Sequence, residues 1–332
     1  MADLHDMLTS HVADGSLPGA VAVLAGGDRT EVTVVGSAAV GGAPMARDAI
    51  FRFASITKPI TVLDLLTSCA GYGWASDFTL PAVQALFPVQ GDGREVASFP
   101  PADEWMAELA RVPMLYQPGQ AWLYDTCSTL QGVLIARVSG QPLPAFLAER
   151  VFGPLGMTDT GFDVPAAKRG RFTSSYRVGP AGGLELADGP DGQWSTPPAF
   201  PLGNGGLAGT ADDWLAFGRM LLARGTAADG RRLLTAESVR LMTTDHTTSR
   251  QREIGALFLE GQGWGFGGSV DIAAIDPWNA PGRYGWVGGT GTSAHVNPSA
   301  GTVAILFTQV AADSPVAPGW MRDFWRYAAD AR

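Results

Sequence analysis

A chain of 332 residues with 46% hydrophobic and 17% charged residues is long and apolar enough to bury one large core or two, which excludes a mainly disordered polymer. The net charge of −9, from 32 acidic against 23 basic residues with no stripe of Lys and Arg to track phosphates, excludes nucleic acid as an expected partner. No apolar run approaches the roughly 20 residues that span a bilayer, and Met1 to Ser16 lacks the basic and apolar regions of a secretory signal, so a cytoplasmic protein with no membrane partner is expected.

The chain opens with helical spacing of Leu4, Met7, Leu8, His11 and Val12, stopped by Gly15 and Pro18. Gly19 to Ala25 and Glu31 to Val35, joined by the turn at Gly26, Gly27 and Asp28, predict a hairpin. From about Phe51 helical patterns take over. Leu130, Val133, Leu134 and Val138 fall at i, i+3, i+4 and i+8, and Gly140 supplies the stop. Further helices are predicted at Leu143 to Val151, Ala211 to Ala223 and Ala236 to Thr243, with Thr210 and Asp213 forming a near capping box. The Gly- and Pro-rich stretch Asp163 to Gly205 reads as loop wrapped on a helical region. Strands return at Arg283 to Val287, Ser293 to Val296 and Thr302 to Gln309, and Pro318 to Ala329 closes the chain as a helix with Trp320, Phe324 and Tyr327 on one stripe. Strands at both ends with helices between them predict an α/β (α+β) fold: a sheet built from both termini with an inserted helical domain. The expected division is 1–54 with 206–332 for the sheet domain and 55–205 for the helical domain with its long loops.

The side chains suited to metal binding are few. Cys69 and Cys127 form neither a disulfide framework nor a metal pair, and both are expected as structural thiols. None of the four His residues has a partner at ligand spacing, so no metal and no cofactor are expected. His295, two residues from Ser293 on one strand, is read as a satisfied strand residue rather than half of a Ser/His pair. Lysine is more telling, since the chain has only Lys58 and Lys168, and Lys58 stands three residues after Ser55. On a helix starting at Ser55 these positions share a face, which brings the ammonium within reach of the hydroxyl. A buried lysine loses proton affinity and can take the hydroxyl proton, while the helix N-terminus adds backbone donors beside the nucleophile.

Phe51, Phe53, Ala54, Ser55, Ile56, Thr57 and Lys58 resemble the nucleophile segment of the serine β-lactamase and penicillin-binding-protein superfamily, most nearly its class C β-lactamase and family VIII esterase branch. Gln117, Pro118, Gly119, Trp122, Tyr124, Asp125 and Thr126 are similar to its Tyr-x-Asn element, and Trp286, Val287, Gly288, Gly289, Thr290 and Gly291 to its Lys-Thr-Gly strand. The resemblance implies a β-lactamase/transpeptidase-like antiparallel sheet flanked by helices, with the active site at the domain interface. It implies Ser55, Lys58 and Tyr124 as catalytic residues, backbone N–H groups of Ser55 and Gly289 as the oxyanion hole, and Thr126, Trp286, Gly288 and Thr290 as substrate-binding positions.

Two departures qualify the match. Lys58 runs almost directly into the element that reads Ile60 to Gly71, so either a fused helix spans Ile56 to about Thr67 or the chain carries an internal deletion. Trp286 stands where β-lactamases of the family have Lys, and Thr126 where they have Asn. With no ammonium for a carboxylate and no amide for an acylamido group, the expected activity is serine hydrolysis of small esters through an acyl-enzyme. The alternatives are a β-lactamase, a D-amino-acid peptidase or an acyltransferase of the same family, acting on a small ester or amide, or a catalytically impaired binding homologue.

Overall fold

The computed structural model describes residues 3–27, 29–53, 67–91 and 96–331. Small and β-branched residues at both ends of the chain let its first and last strands lie side by side. β1 (Gly19–Gly26) pairs antiparallel with β2 (Arg29–Gly36) on one edge and with the last strand, Thr302–Thr308, on the other, setting Val21 opposite Phe307 and Val23 opposite Ile305. Counting β3 (Phe51–Arg52), β4 (Ser175–Val178), β5 (Leu184–Asp188), β6 (Ala208–Gly209), β7 (Gly263–Trp264), β8 (Ser269–Val270), β9 (Tyr284–Gly288), β10 (Thr292–Asn297) and β11 (Thr302–Thr308), the main sheet runs β2-β1-β11-β10-β9-β8-β7. Every pairing in it is antiparallel.

The period of two assigns the faces. Val21, Val23, Ile305 and Phe307 pack on Trp214 and Phe217 of the helix Ala211–Leu222, where Gly218 lets Val303 come so close that a Cβ would lie 2.8 Å from it. Ala20, Ala22 and Leu306 face the terminal helices Leu4–Ala13 and Gly319–Asp330 through Leu4, Leu8, Trp320 and Phe324. β1 is thus covered on both sides, which is why it lacks polar alternation. A second core holds Trp74, Trp105, Trp122, Trp194, Trp264 and Trp286, and joins the helical region to the far edge of the sheet.

The predicted helices and long strands are present within one to a few residues of their expected bounds, apart from the fused helix Ile56 to Thr67, of which residues 56–66 lie outside the described residues. Beyond the expectations, helices occupy Pro81–Gln90, Ala102–Leu109 and Ser249–Ile254. The stretch read as loop contains the β4–β5 hairpin. Its Tyr176 donates from N to Gln309 O (2.7 Å) and accepts at O from Ala311 N (2.7 Å), tying the hairpin to the segment after β11. Those bonds join residues more than a hundred positions apart, so local composition carried no sign of them. The helix Thr126–Ser139 ends at Gly140 in the left-handed region as expected, but Leu134 (46% exposed) and Val138 (79%) of its apolar stripe face outward. Its buried side carries Cys127 and Val133 but is otherwise polar or small: Thr126, Ser128, Thr129, Gln131 and Gly132. Gly132 and Gly203 let two backbones touch, since a Cβ at Gly203 would lie 2.3 Å from Ser128 O.

Among the described residues no helix is long and apolar enough to cross a membrane. Cys127 is buried, and burial pushes its thiol up to about 11; Cys69 is half-buried, and neither forms a disulfide. His295 is buried on β10, its Nδ1 3.2 Å from Ser293 Oγ, which accepts from Trp325 Nε1 (2.8 Å). Burial first, and the Arg283 charge second, hold this imidazole well below its ordinary value. The unfolded chain therefore takes up a proton near pH 6.5 that the folded chain refuses, so this contribution to stability is intact above about pH 6.5 and falls as the pH drops below it. His295→Gln is expected to flatten the fall of melting temperature between pH 7 and about pH 5; equal slopes for the two proteins would place the dependence elsewhere.

Candidate active site

The site is assembled by bringing strand ends together. β3 pairs with β6, and the two threonines after β9 reach across to it: Thr290 Oγ1 donates to Arg52 O (2.8 Å) and Thr292 Oγ1 to Phe53 O (2.9 Å). These bonds hold the backbone two residues ahead of Ser55 in sequence. Ser55 and Lys58 themselves lie outside the described residues. Arg52 anchors the same stretch from the other side. Its guanidinium is buried over the ring of Phe172 (4.2 Å), pairs with Asp188 of β5, and donates from Nη1 to Thr173 O (2.8 Å). Desolvation pulls its proton affinity down, and the Asp188 charge opposes that pull.

Tyr124 is fixed through backbone and ring. A two-way bridge with Trp74 (N to O 2.9 and 3.0 Å) places the backbone, and glycine is required at Gly73, where φ is +143° and a Cβ would lie 2.6 Å from Tyr124 O. The ring stacks on Phe258 (centroids 4.7 Å, 25°), and Trp286 Nε1 donates to the phenol oxygen (2.9 Å). Trp286 is in turn held edge-on by the fully buried Trp264 (4.7 Å, 86°). The indole is therefore more than a flat wall, since it supplies one directed N–H donor where the resemblance placed an ammonium.

Asp125 follows at φ +85°, ψ −65°, with Thr126 N donating to Tyr124 O (3.2 Å): a γ-turn that a non-glycine residue rarely adopts and that costs roughly 1–3 kcal/mol. Its Oδ2 accepts from Gln90 Nε2 and Asn204 Nδ2, each at 2.8 Å, which holds the turn against that strain.

Tyr124, Trp286, Gly288, Gly289 and Thr290 line one cleft of about 420 Å³, together with Trp74, Phe78, Phe87, Phe258, Asp125, Asn204 and the segment 312–318. Gly289 accepts at O from Ala312 N (2.8 Å), while its own N–H donates to no described residue. Thr290 spends its hydroxyl on Arg52 O. Thr126 is fully buried, does not line the cleft, and its hydroxyl has no partner among the described residues. Asp125 and Asn204 occupy the cleft instead. Asn204 was signalled only by the Gly-rich run Gly203 to Gly206, and Asp125 only by its place between Tyr124 and Thr126. Among the described lining residues the charged side chains are Asp125 and Asp313, with no Lys or Arg. No group of three or more His, Cys, Asp or Glu that could hold a metal occurs among the described residues.

Residues 59–323 match the beta-lactamase family model. The chain belongs to the beta-lactamase family. As a member of the family it is a serine hydrolase, and its fold is that of the β-lactamase/transpeptidase-like proteins. It is 37% identical to Protein Rv1367c of Mycobacterium tuberculosis (strain ATCC 25618 / H37Rv), over 83% of this chain and 81% of that protein. Esterase EstB of Burkholderia gladioli is 28% identical over 83% of this chain and 81% of its own length. Among solved structures, EstCE1, a hydrolase with promiscuous acyltransferase activity, superposes with a TM-score of 0.82 over 97% of this chain and 96% of its own at 22% identity. The family match begins at Pro59, immediately after the Ser55–Lys58 motif.

Removing one partner of the Arg52–Asp188 pair strands a buried charge next to the chain that leads to Ser55. Arg52→Ala is expected to lower the unfolding free energy by about 3–5 kcal/mol, and Arg52→Met combined with Asp188→Leu to recover most of it, measured by urea unfolding. A loss under about 1 kcal/mol in the single variant would mean that water reaches Asp188 and the pair anchors nothing.

Proposed function

We propose that this beta-lactamase-family chain hydrolyses small uncharged esters through an acyl-enzyme on Ser55, in a site at the junction of the sheet domain (1–54 and 206–332) and the helical domain (55–205). The observation that carries the reading is the hydrogen bond from Trp286 Nε1 to the Tyr124 phenol in a cleft whose described lining has no cation. An indole donor orients the phenol without offering a counter-ion to a substrate carboxylate, so the site favours esters over penicillin-like acids. The name of Esterase EstB supports the same substrate class.

In this reading Lys58 and Tyr124 take the Ser55 proton as Oγ bonds to the acyl carbon. The N–H groups of Ser55 and Gly289 receive the developing oxyanion, the C–O bond to the alcohol breaks, and the alcohol leaves with the proton. Water then attacks the acyl carbon, releasing the acid and restoring Ser55. Trp286 Nε1 supplies a fixed donor to charge that develops on the Tyr124 oxygen during both transfers. The apolar lining also favours an alcohol in place of water at the second step, which makes acyl transfer the second reading of the same site; the name of EstCE1 supports it.

Ser55→Ala is expected to reduce p-nitrophenyl butyrate hydrolysis to near the uncatalysed rate and to abolish fluorophosphonate labelling with the melting temperature little changed. Undiminished turnover would sink the assignment. Trp286→Lys is expected to raise nitrocefin turnover relative to p-nitrophenyl butyrate by about tenfold or more, because it supplies a cation for the carboxylate and removes the donor to Tyr124. An unchanged ratio would remove position 286 from the account of specificity.

A further inference from the structure

Resting on the reading of the cleft as an ester-hydrolysing site, we propose that its preferred substrates carry a flat, uncharged aromatic acyl group rather than a short alkyl one. Aromatic rings form a continuous chain along the lining. Phe87 packs on Trp74 at 4.6 Å, Phe78 lies 6.1 Å from both Phe87 and Phe258, and Phe258 stacks on Tyr124 at 4.7 Å. The interplanar angles along this chain run from 25° to 72°, so successive rings are tilted against one another rather than laid in one plane, and all five line the cleft. The ring quadrupole rewards a partner that sets a face against an edge or slides parallel to a face, whereas an alkyl chain gains only buried area.

Three further features narrow the class. The cleft, at about 420 Å³, falls in the range of roughly 300–1,000 Å³ that encloses whole small-molecule ligands, more than an acetyl or butyryl group fills. Phe87 is 43% exposed and Val316 41%, so two large apolar side chains of the lining stay in water until a substrate covers them. The rest of the lining from 312–321 is mostly apolar, with Ser314 and the exposed carboxylate of Asp313 as its polar side chains, and that carboxylate disfavours an acyl group bearing its own.

The test uses p-nitrophenyl esters whose reacting carbonyl sits on the same kind of alkyl carbon: 3-phenylpropionate, 3-cyclohexylpropionate, butyrate and hemisuccinate. The phenyl ester is expected to exceed the butyrate by about tenfold or more in kcat/KM, with the cyclohexyl ester between them and the hemisuccinate below all three. Phe87→Ala is expected to bring the phenyl-to-butyrate ratio down to about threefold or less. Binding is read independently on the unaltered protein by boronic acids, which add to an active-site serine: 2-phenylethylboronic acid should inhibit about tenfold more tightly than butylboronic acid. Equal kcat/KM for the phenyl and cyclohexyl esters, or a butyrate as good as either, overturns the proposal and leaves the esterase reading in place. No turnover of any ester by the unaltered protein overturns both.

Discussion

The pairing of β1 with β11 is the contact on which the rest of this molecule depends. It joins the beginning of the chain to its end in one antiparallel sheet, buried on both faces by helices drawn from three separate stretches of sequence. Because β10 and β9 continue outward from β11, the same pairing sets the turn between them against β3. There Thr290 and Thr292 reach the carbonyls of Arg52 and Phe53. A sheet closed by its two ends thus delivers the last third of the chain to the backbone that precedes Ser55. Such long-range closure is entropically costly, and the extensive apolar burial around β1 offsets it.

Polar groups are buried near the cleft under tight supervision. Arg52 is ringed by an acid, two carbonyls and two aromatic faces, and Asp125 sits in a strained turn with two amide donors on one oxygen. Each arrangement is tolerable only with every partner in place, since a half-satisfied buried network is worse than an apolar one. The strain at Asp125 lies directly between Tyr124 and the helix Thr126–Ser139, where a relaxed backbone would turn the phenol differently. Backbone strain of this kind persists where surrounding structure over-determines it.

Tyr124 shows how the aromatic core and the cleft are one object. Trp264 braces Trp286, Trp286 donates to Tyr124, and Tyr124 stacks on Phe258, so packing in the second core sets the direction of a hydrogen bond at the cleft surface. Where the resemblance to the β-lactamases places a lysine, Trp286 is instead a rigid, neutral, directed donor. An indole carries no positive charge and presents apolar surface to the cleft.

Read alone, the sequence determined the class of fold, the long strands and most long helices, because β-branched alternation and capped amphipathic spacing are local signals. It also determined the family, because the Ser55-x-x-Lys58, Tyr124 and Trp286 to Gly291 segments follow one another in a recognisable order. It did not show that Leu134 and Val138 face solvent while Thr126 and Gln131 are buried, since the face a helix buries depends on what packs against it, here the backbone at Gly203. Nor did it show the hairpin at Tyr176, whose bonds go to the distant segment after β11, or the roles of Asp125 and Asn204, which share a hydrogen-bond network but are far apart in the chain. The Trp286 donor to Tyr124 was equally hidden. Local pattern sets which elements form; only their mutual packing decides which side chains meet, because contacts between distant segments obey shape and partner satisfaction rather than periodicity.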